Sequence, residues 1–138
     1  MSEAGIARAD RAGIAAAAIA GATDAAYVAV ILQEGEGMPA RVLFVAGFMG
    51  AATACVAVGV LSEISDRARH AILAFAATGL LALGVLAIFS IGWFLIVAGA
   101  LSYVAWFRSP GAQPGLVATS ISAAVASVLV LVAGIALT

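Results

Sequence analysis

Asp24 interrupts the run GIAAAAIAGATDAAYVAV at residues 13–30, which is otherwise apolar or small. An aspartate near the centre of a membrane helix costs about 2.5–3.5 kcal/mol to insert. Low dielectric favours the uncharged acid, and a protonated Asp donates one hydrogen bond while accepting others. Such a group can carry a proton, hold a cation, or join helices. The nearest cation along the fold is Arg41, which would have to reach down about 12 Å when snorkelling favours the opposite direction. Asp24 is therefore expected to be buried and hydrogen-bonded, within the chain or to a partner. Tyr27 shares its helical face, with Ala17, Ala20 and Gly21. Thr53, Thr78, Ser102 and Ser127 fall within about one turn of the same depth on the other apolar segments, which predicts a polar layer around the acid.

Other chemistries lack their parts. Hydrolysis by paired aspartates needs a second membrane-embedded acid. Nucleophilic hydrolysis needs a G-x-S-x-G turn and a histidine base, and neither is available at depth. His70 is the only histidine and has no second ligand at i+3 or i+4, so no metal site is expected. Its place at the end of an apolar segment suggests an interfacial group or the edge of the basic loop. Cys55 is the only cysteine, which excludes an intrachain disulfide, and it reads as a small packing residue. GEGMPA at 35–40 formally matches a dinucleotide fingerprint but lacks the strand and helix that make that motif work. No enzyme activity and no cofactor are expected.

The elements that must position these residues follow from composition. Apolar residues make up 65% of the 138 and charged residues 9%, with a mean hydropathy of +1.22. One water-soluble core cannot hold so much apolar surface, and a bilayer can. The formal net charge of −1 gives no basic stripe for nucleic acid. The basic residues are all Arg, with no Lys and no Asn, a bias that points to a GC-rich genome and a bacterial inner membrane.

A span needs about 20 apolar residues. Charges and prolines then divide the chain into spans at 13–32, 42–61, 70–89, 91–107 and 115–137, with Pro39, Pro110 and Pro114 all between spans. His70–Phe107 carries no Asp, Glu, Lys or Arg, and as one helix it would be about 57 Å long. Two spans joined by a turn at FSIGW fit better, with Trp93 at one interface and Trp106 at the other end of the fourth span. The fold class is thus all-α, an integral membrane bundle of five transmembrane helices in a single domain over 1–138, with four helices as the alternative. Five spans with a cytoplasmic N-terminus place Arg8, Arg11, Arg67, Arg69 and Arg108 inside, Arg41 outside, and the C-terminus outside. A cleavable signal peptide is disfavoured by Asp24 and by the continuing YVAVIL.

Helices in lipid associate through small residues. The first span carries Gly13, Ala17, Gly21, Ala25 and Ala29 at spacing four, and the second carries Gly47, Ala51, Cys55 and Gly59. A hairpin packed ridge against ridge is the simplest expectation. The function expected is a structural or accessory membrane subunit, in contact with the lipid bilayer and with a second copy or a larger complex. The alternative is a proton- or cation-coupled transporter acting as an oligomer, with Asp24 as the coupling carboxylate. Against transport stand the missing second acid, the lack of a Gly- or Pro-broken span and the lack of an inverted repeat.

Overall fold

The computed structural model of the chain describes residues 3–35, 39–61, 64–88, 92–109 and 114–138, without the side chains of 3–10, 34, 61 and 114. Among the described residues there are five helices: α1 (Glu3–Glu34), α2 (Ala40–Leu61), α3 (Asp66–Leu86), α4 (Gly92–Arg108) and α5 (Pro114–Leu137). The protein is an all-α bundle of apolar helices. Four of them are long and apolar enough to cross a bilayer, and α4, at 17 residues, is shorter. That length is about 26 Å, at the lower limit for a span.

Helix ends follow local chemistry. Gly35 takes φ +68, the left-handed conformation that closes α1 without a Cβ penalty. The Pro39 carbonyl accepts from the amides of Val42 and Leu43 to open α2. Ser65 caps α3 by accepting from the Ala68 amide at 3.4 Å, and Asp66 in the first turn complements the helix dipole. The predicted break inside 70–107 is present, but α3 stops at Leu86, three residues before its predicted end. Ala87 and Ile88 make the turn, and the Gly92 amide donates to the Ala87 carbonyl at 2.9 Å. Phe89, Ser90 and Ile91 lie outside the described residues. At the other extreme, α1 begins ten residues earlier than the predicted span, because Ala, Glu and Arg sustain a helix beyond the apolar region.

The helices alternate in direction. Gly13 meets Val60, Gly59 meets Leu73, His70 stands beside Trp106, and Arg67 reaches Gly115, so these residues share one end of the bundle. Phe44 against Gly134 marks the opposite end. Helices α1 to α4 close a ring, α1 touching α2 and α4 while α3 touches α2 and α4; α5 lies outside it against α3, with an edge on α2. The core runs through Ala16, Ala20, Met49, Ala52, Val56, Leu73, Ala76, Leu80, Leu95 and Ala98, with Leu131 reaching in from α5.

The spacing-four ridges do not pair as expected. On a straight helix, residues four apart drift about 40° per step, so a five-member ridge turns through about 160°. The buried stripe of α1 is instead Gly13, Ala16, Ala20 and Thr23, at spacings of three and four, while Ala17 and Gly21 are half-buried and Ala25 and Ala29 are exposed. On α2, Gly47 and Ala51 are exposed, Cys55 is half-buried, and Gly59 is buried against Leu73 of α3. Contact with α1 comes from Gly50, Thr53 and Val60, again at a three-four repeat. A three-four repeat follows one face of a helix more closely than a strict spacing of four.

Among the described glycines, the closest approach to another helix's backbone is between α3 and α4. A Cβ at Gly92 would collide with the Gly84 carbonyl oxygen, and one at Gly84 would stand 2.9 Å from the Gly92 carbonyl oxygen and the Ile96 nitrogen. These are backbone atoms and cannot swing away. Gly92→Ala should therefore cost about 1–3 kcal/mol in equilibrium unfolding from mixed micelles. Gly47→Ala, where a Cβ meets nothing within 4 Å, should stay within about 0.5 kcal/mol of the parent. Equal losses at both positions would show that the α3–α4 contact is not the sensitive one.

Candidate functional site

Helix α1 runs unbroken through Asp24, which the 3.6-residue repeat places one step round from buried Thr23 and toward α2. A Cβ at Gly50 would stand 3.3 Å from Asp24 Oδ2, so the glycine leaves room for the carboxylate. The expectation that Asp24 is buried needs correcting. The residue is partly exposed, and only Oδ1 is sealed off, without a hydrogen-bond partner among the described residues. The side chain reaches the rim of the α1–α2 contact rather than the bundle centre. Tyr27, one turn along, is also partly exposed.

The other members of the predicted layer are placed separately. Thr53 turns its methyl group toward Gly21 and donates its hydroxyl to the Met49 carbonyl at 2.9 Å. Ser102 is fully buried and donates to the Ala98 carbonyl, also at 2.9 Å. Thr78 bonds to Tyr103 Oη at 2.9 Å, which ties α3 to α4. Ser127 is fully buried on α5 beside Gly79, which Phe48 also approaches, and its Oγ has no hydrogen-bond partner among the described residues. None of these hydroxyls bonds to Asp24. Ser and Thr in a helix readily satisfy themselves on the carbonyl four residues back, and matching depth does not bring side chains to the same face.

No family model, no curated protein and no solved structure matches the chain. The site is therefore read from its own chemistry. Among the described residues no three His, Cys, Asp or Glu side chains come together as a metal ligand set.

A second polar cluster was not predicted. His70 is buried at 4% exposure, and its Nδ1–H donates to the Asp66 carbonyl at 2.8 Å. Its ring lies edge-on to Trp106 at 6.1 Å between centroids. Trp106 is turned inward, and its indole N–H donates to Ser120 Oγ at 3.1 Å, while Ser120 donates to the Leu116 carbonyl at 2.9 Å. Tyr103 and Phe107 complete the aromatic group around Trp106. The Tyr103–Trp106 spacing of three was a legible signal for one helical face, but its partners come from α3 and α5.

The satisfied and unsatisfied hydroxyls should separate on mutation. Thr78→Val removes the α3–α4 bond and should cost about 0.5–1.5 kcal/mol in mixed micelles, the range of measured interhelical hydrogen bonds. Ser127→Ala removes a hydroxyl whose hydration is lost without replacement and should be neutral or stabilising. A loss at Ser127 as large as that at Thr78 would contradict this assignment.

Proposed function

We propose that this chain is a small multi-pass inner-membrane protein of structural or accessory-subunit type, in which Asp24 is the point of engagement with a partner, either a second copy or a larger membrane complex. The observation that carries the reading is the state of Asp24: partly exposed, with Oδ1 enclosed and no hydrogen-bond partner within the described residues. An acid in hydrocarbon that its own chain does not satisfy favours any association that supplies a donor or acceptor. No enzyme activity is assigned. The unbroken course of α1 past Asp24 favours this role over carrier-type transport, since coupling sites are typically built where a helix is interrupted.

The arrangement of arginines supports an orientation. Arg11, Arg67, Arg69 and Arg108 belong to the end of the bundle marked by Gly13, His70 and Trp106, and Arg41 to the other. We take the arginine-rich end as cytoplasmic by the positive-inside rule. The N-terminus is then inside and the C-terminus outside.

Two experiments test these readings. Asp24→Ala should reduce the assembled fraction in gentle-detergent gel filtration, while Asp24→Asn, a neutral hydrogen-bonding mimic, should retain it. If instead Asp24→Asn abolishes a pH-dependent flux in proteoliposomes with assembly unchanged, Asp24 is a coupling carboxylate and the transport alternative holds. For orientation, alkaline phosphatase fused after Thr138 should be active and a fluorescent protein fused there dark. The reverse result would place the C-terminus inside and overturn this orientation.

A further inference from the structure

The surroundings of Asp24 narrow the choice of partner. Gly21 on α1 rests beside the Thr53 methyl, and Gly50 on α2 faces Asp24 Oδ2, so both half-buried glycines sit where the two helices meet. Their buried neighbours Ala20 and Met49 fill the core-facing flank of that contact. On the outer flank the helical repeat leads from Gly21 to Ala18 and Ala25, and from Gly50 to Gly47 and Ala54, four exposed positions at spacings of three and four. The outer side of the α1–α2 pair is thus a smooth surface of alanine and glycine, with the partly exposed acid in the seam between its halves. Acyl chains can cover such a surface but offer the acid neither donor nor acceptor. A second copy offers both. Copies inserted in one orientation are related by an axis along the membrane normal, so a second Asp24 arrives at the depth of the first. A protonated carboxyl donates one hydrogen bond and accepts others, which makes it complementary to itself.

Resting on the reading of Asp24 as a point of engagement, we propose that its partner is a second copy of this chain, with the outer flanks of the two α1–α2 pairs packed face to face about a two-fold axis and the two Asp24 carboxyls hydrogen-bonded across it. The alanines and glycines let the backbones approach closely, which is what holds helices together in lipid. An unrelated partner would need a polar group placed at that one depth, whereas symmetry supplies it here.

Sedimentation equilibrium of the purified full chain in density-matched detergent micelles tests the proposal, with circular dichroism checking that each variant keeps its helices. The parent should dimerise. Ala25→Leu and Ala54→Leu place bulk on the outer flank, away from the core, and leave Asp24 intact; each should weaken the dimer roughly tenfold or more. Ala126→Leu, the same change at an exposed position of α5, should leave it unaltered. Asp24→Ala should weaken the dimer roughly tenfold, and Asp24→Asn, which still donates and accepts, should stay within about threefold of the parent. A parent that stays monomeric would overturn the proposal, as would a dimer indifferent to both flank variants or equally weakened by Ala126→Leu. If the purified chain is monomeric while an assembly extracted from membranes still depends on Asp24, the second copy is excluded and the acid engages another protein. If the chain dimerises regardless of Asp24→Ala, the acid pair is excluded, and loss of Asp24 dependence in the extracted assembly as well would remove the reading beneath it.

Discussion

Inside a hydrocarbon layer an apolar side chain gains nothing by leaving lipid for protein, so this bundle depends on how closely its backbones approach. The contact between α3 and α4 is where that dependence is sharpest. Gly84 and Gly92 face each other's carbonyl groups, and Gly99 lies against Leu81 and the Ala77 carbonyl, so α4 runs back along α3 at nearly backbone contact. That seam fixes the turn between them and with it the antiparallel order of α4 and α5. It also allows a helix of only 17 residues to hold its place, since α4 is gripped on its other side by α1. Helix α3 becomes the axis of the molecule, touching α2, α4 and α5, with Leu73, Ala76, Ala77, Leu80 and Leu83 all buried.

The number and direction of the helices were legible in the sequence because they derive from one-dimensional quantities. Apolar length, the positions of three prolines and the absence of charge from 70 to 107 suffice to count spans. The end of α3 was misplaced because Ala87 and Ile88 carry no turn chemistry, and the chain turns there for the sake of the Gly84–Gly92 contact. Which face of a helix meets which neighbour is a different kind of quantity. It depends on how neighbouring helices lie against one another, which a count of small residues at spacing four does not supply. Gly47 and Ala51 were assigned to an interface on that count and lie on the open surface.

The polar residues show the same division between depth and direction. Thr53, Thr78, Ser102 and Ser127 were grouped by depth alone, but the hydroxyls of Thr53 and Ser102 return to their own helices, Thr78 joins α3 to α4, and Ser127 has no hydrogen-bond partner among the described residues. His70 and Ser120 are far in sequence from Tyr103 and Trp106 and carry no motif with them, yet the four form the larger polar and aromatic cluster. A tryptophan near a helix end reads as an interfacial anchor. Here a serine on α5 offers the indole a buried acceptor, and the side chain turns inward.

Asp24 gains its meaning from the helix that carries it. Helix α1 continues without interruption on both sides of the acid, so the structure holds no break beside Asp24 at which the carboxylate would turn from one side to the other. Exposure of Asp24 to a different environment would require α1 to shift as a rigid rod against α2 and α4. On the α2 side, Gly21 lies beside the Thr53 methyl and Gly13 against Val60, and Gly50 leaves space next to Asp24 Oδ2. This smooth, small-residue contact is cheap to slide and expensive to separate, since its strength lies in many weak contacts at short range. Binding of a partner at the acid would therefore act on the position of α1 as a whole, and any function of Asp24 would be transmitted along the α1–α2 and α1–α4 seams rather than through a mobile side chain.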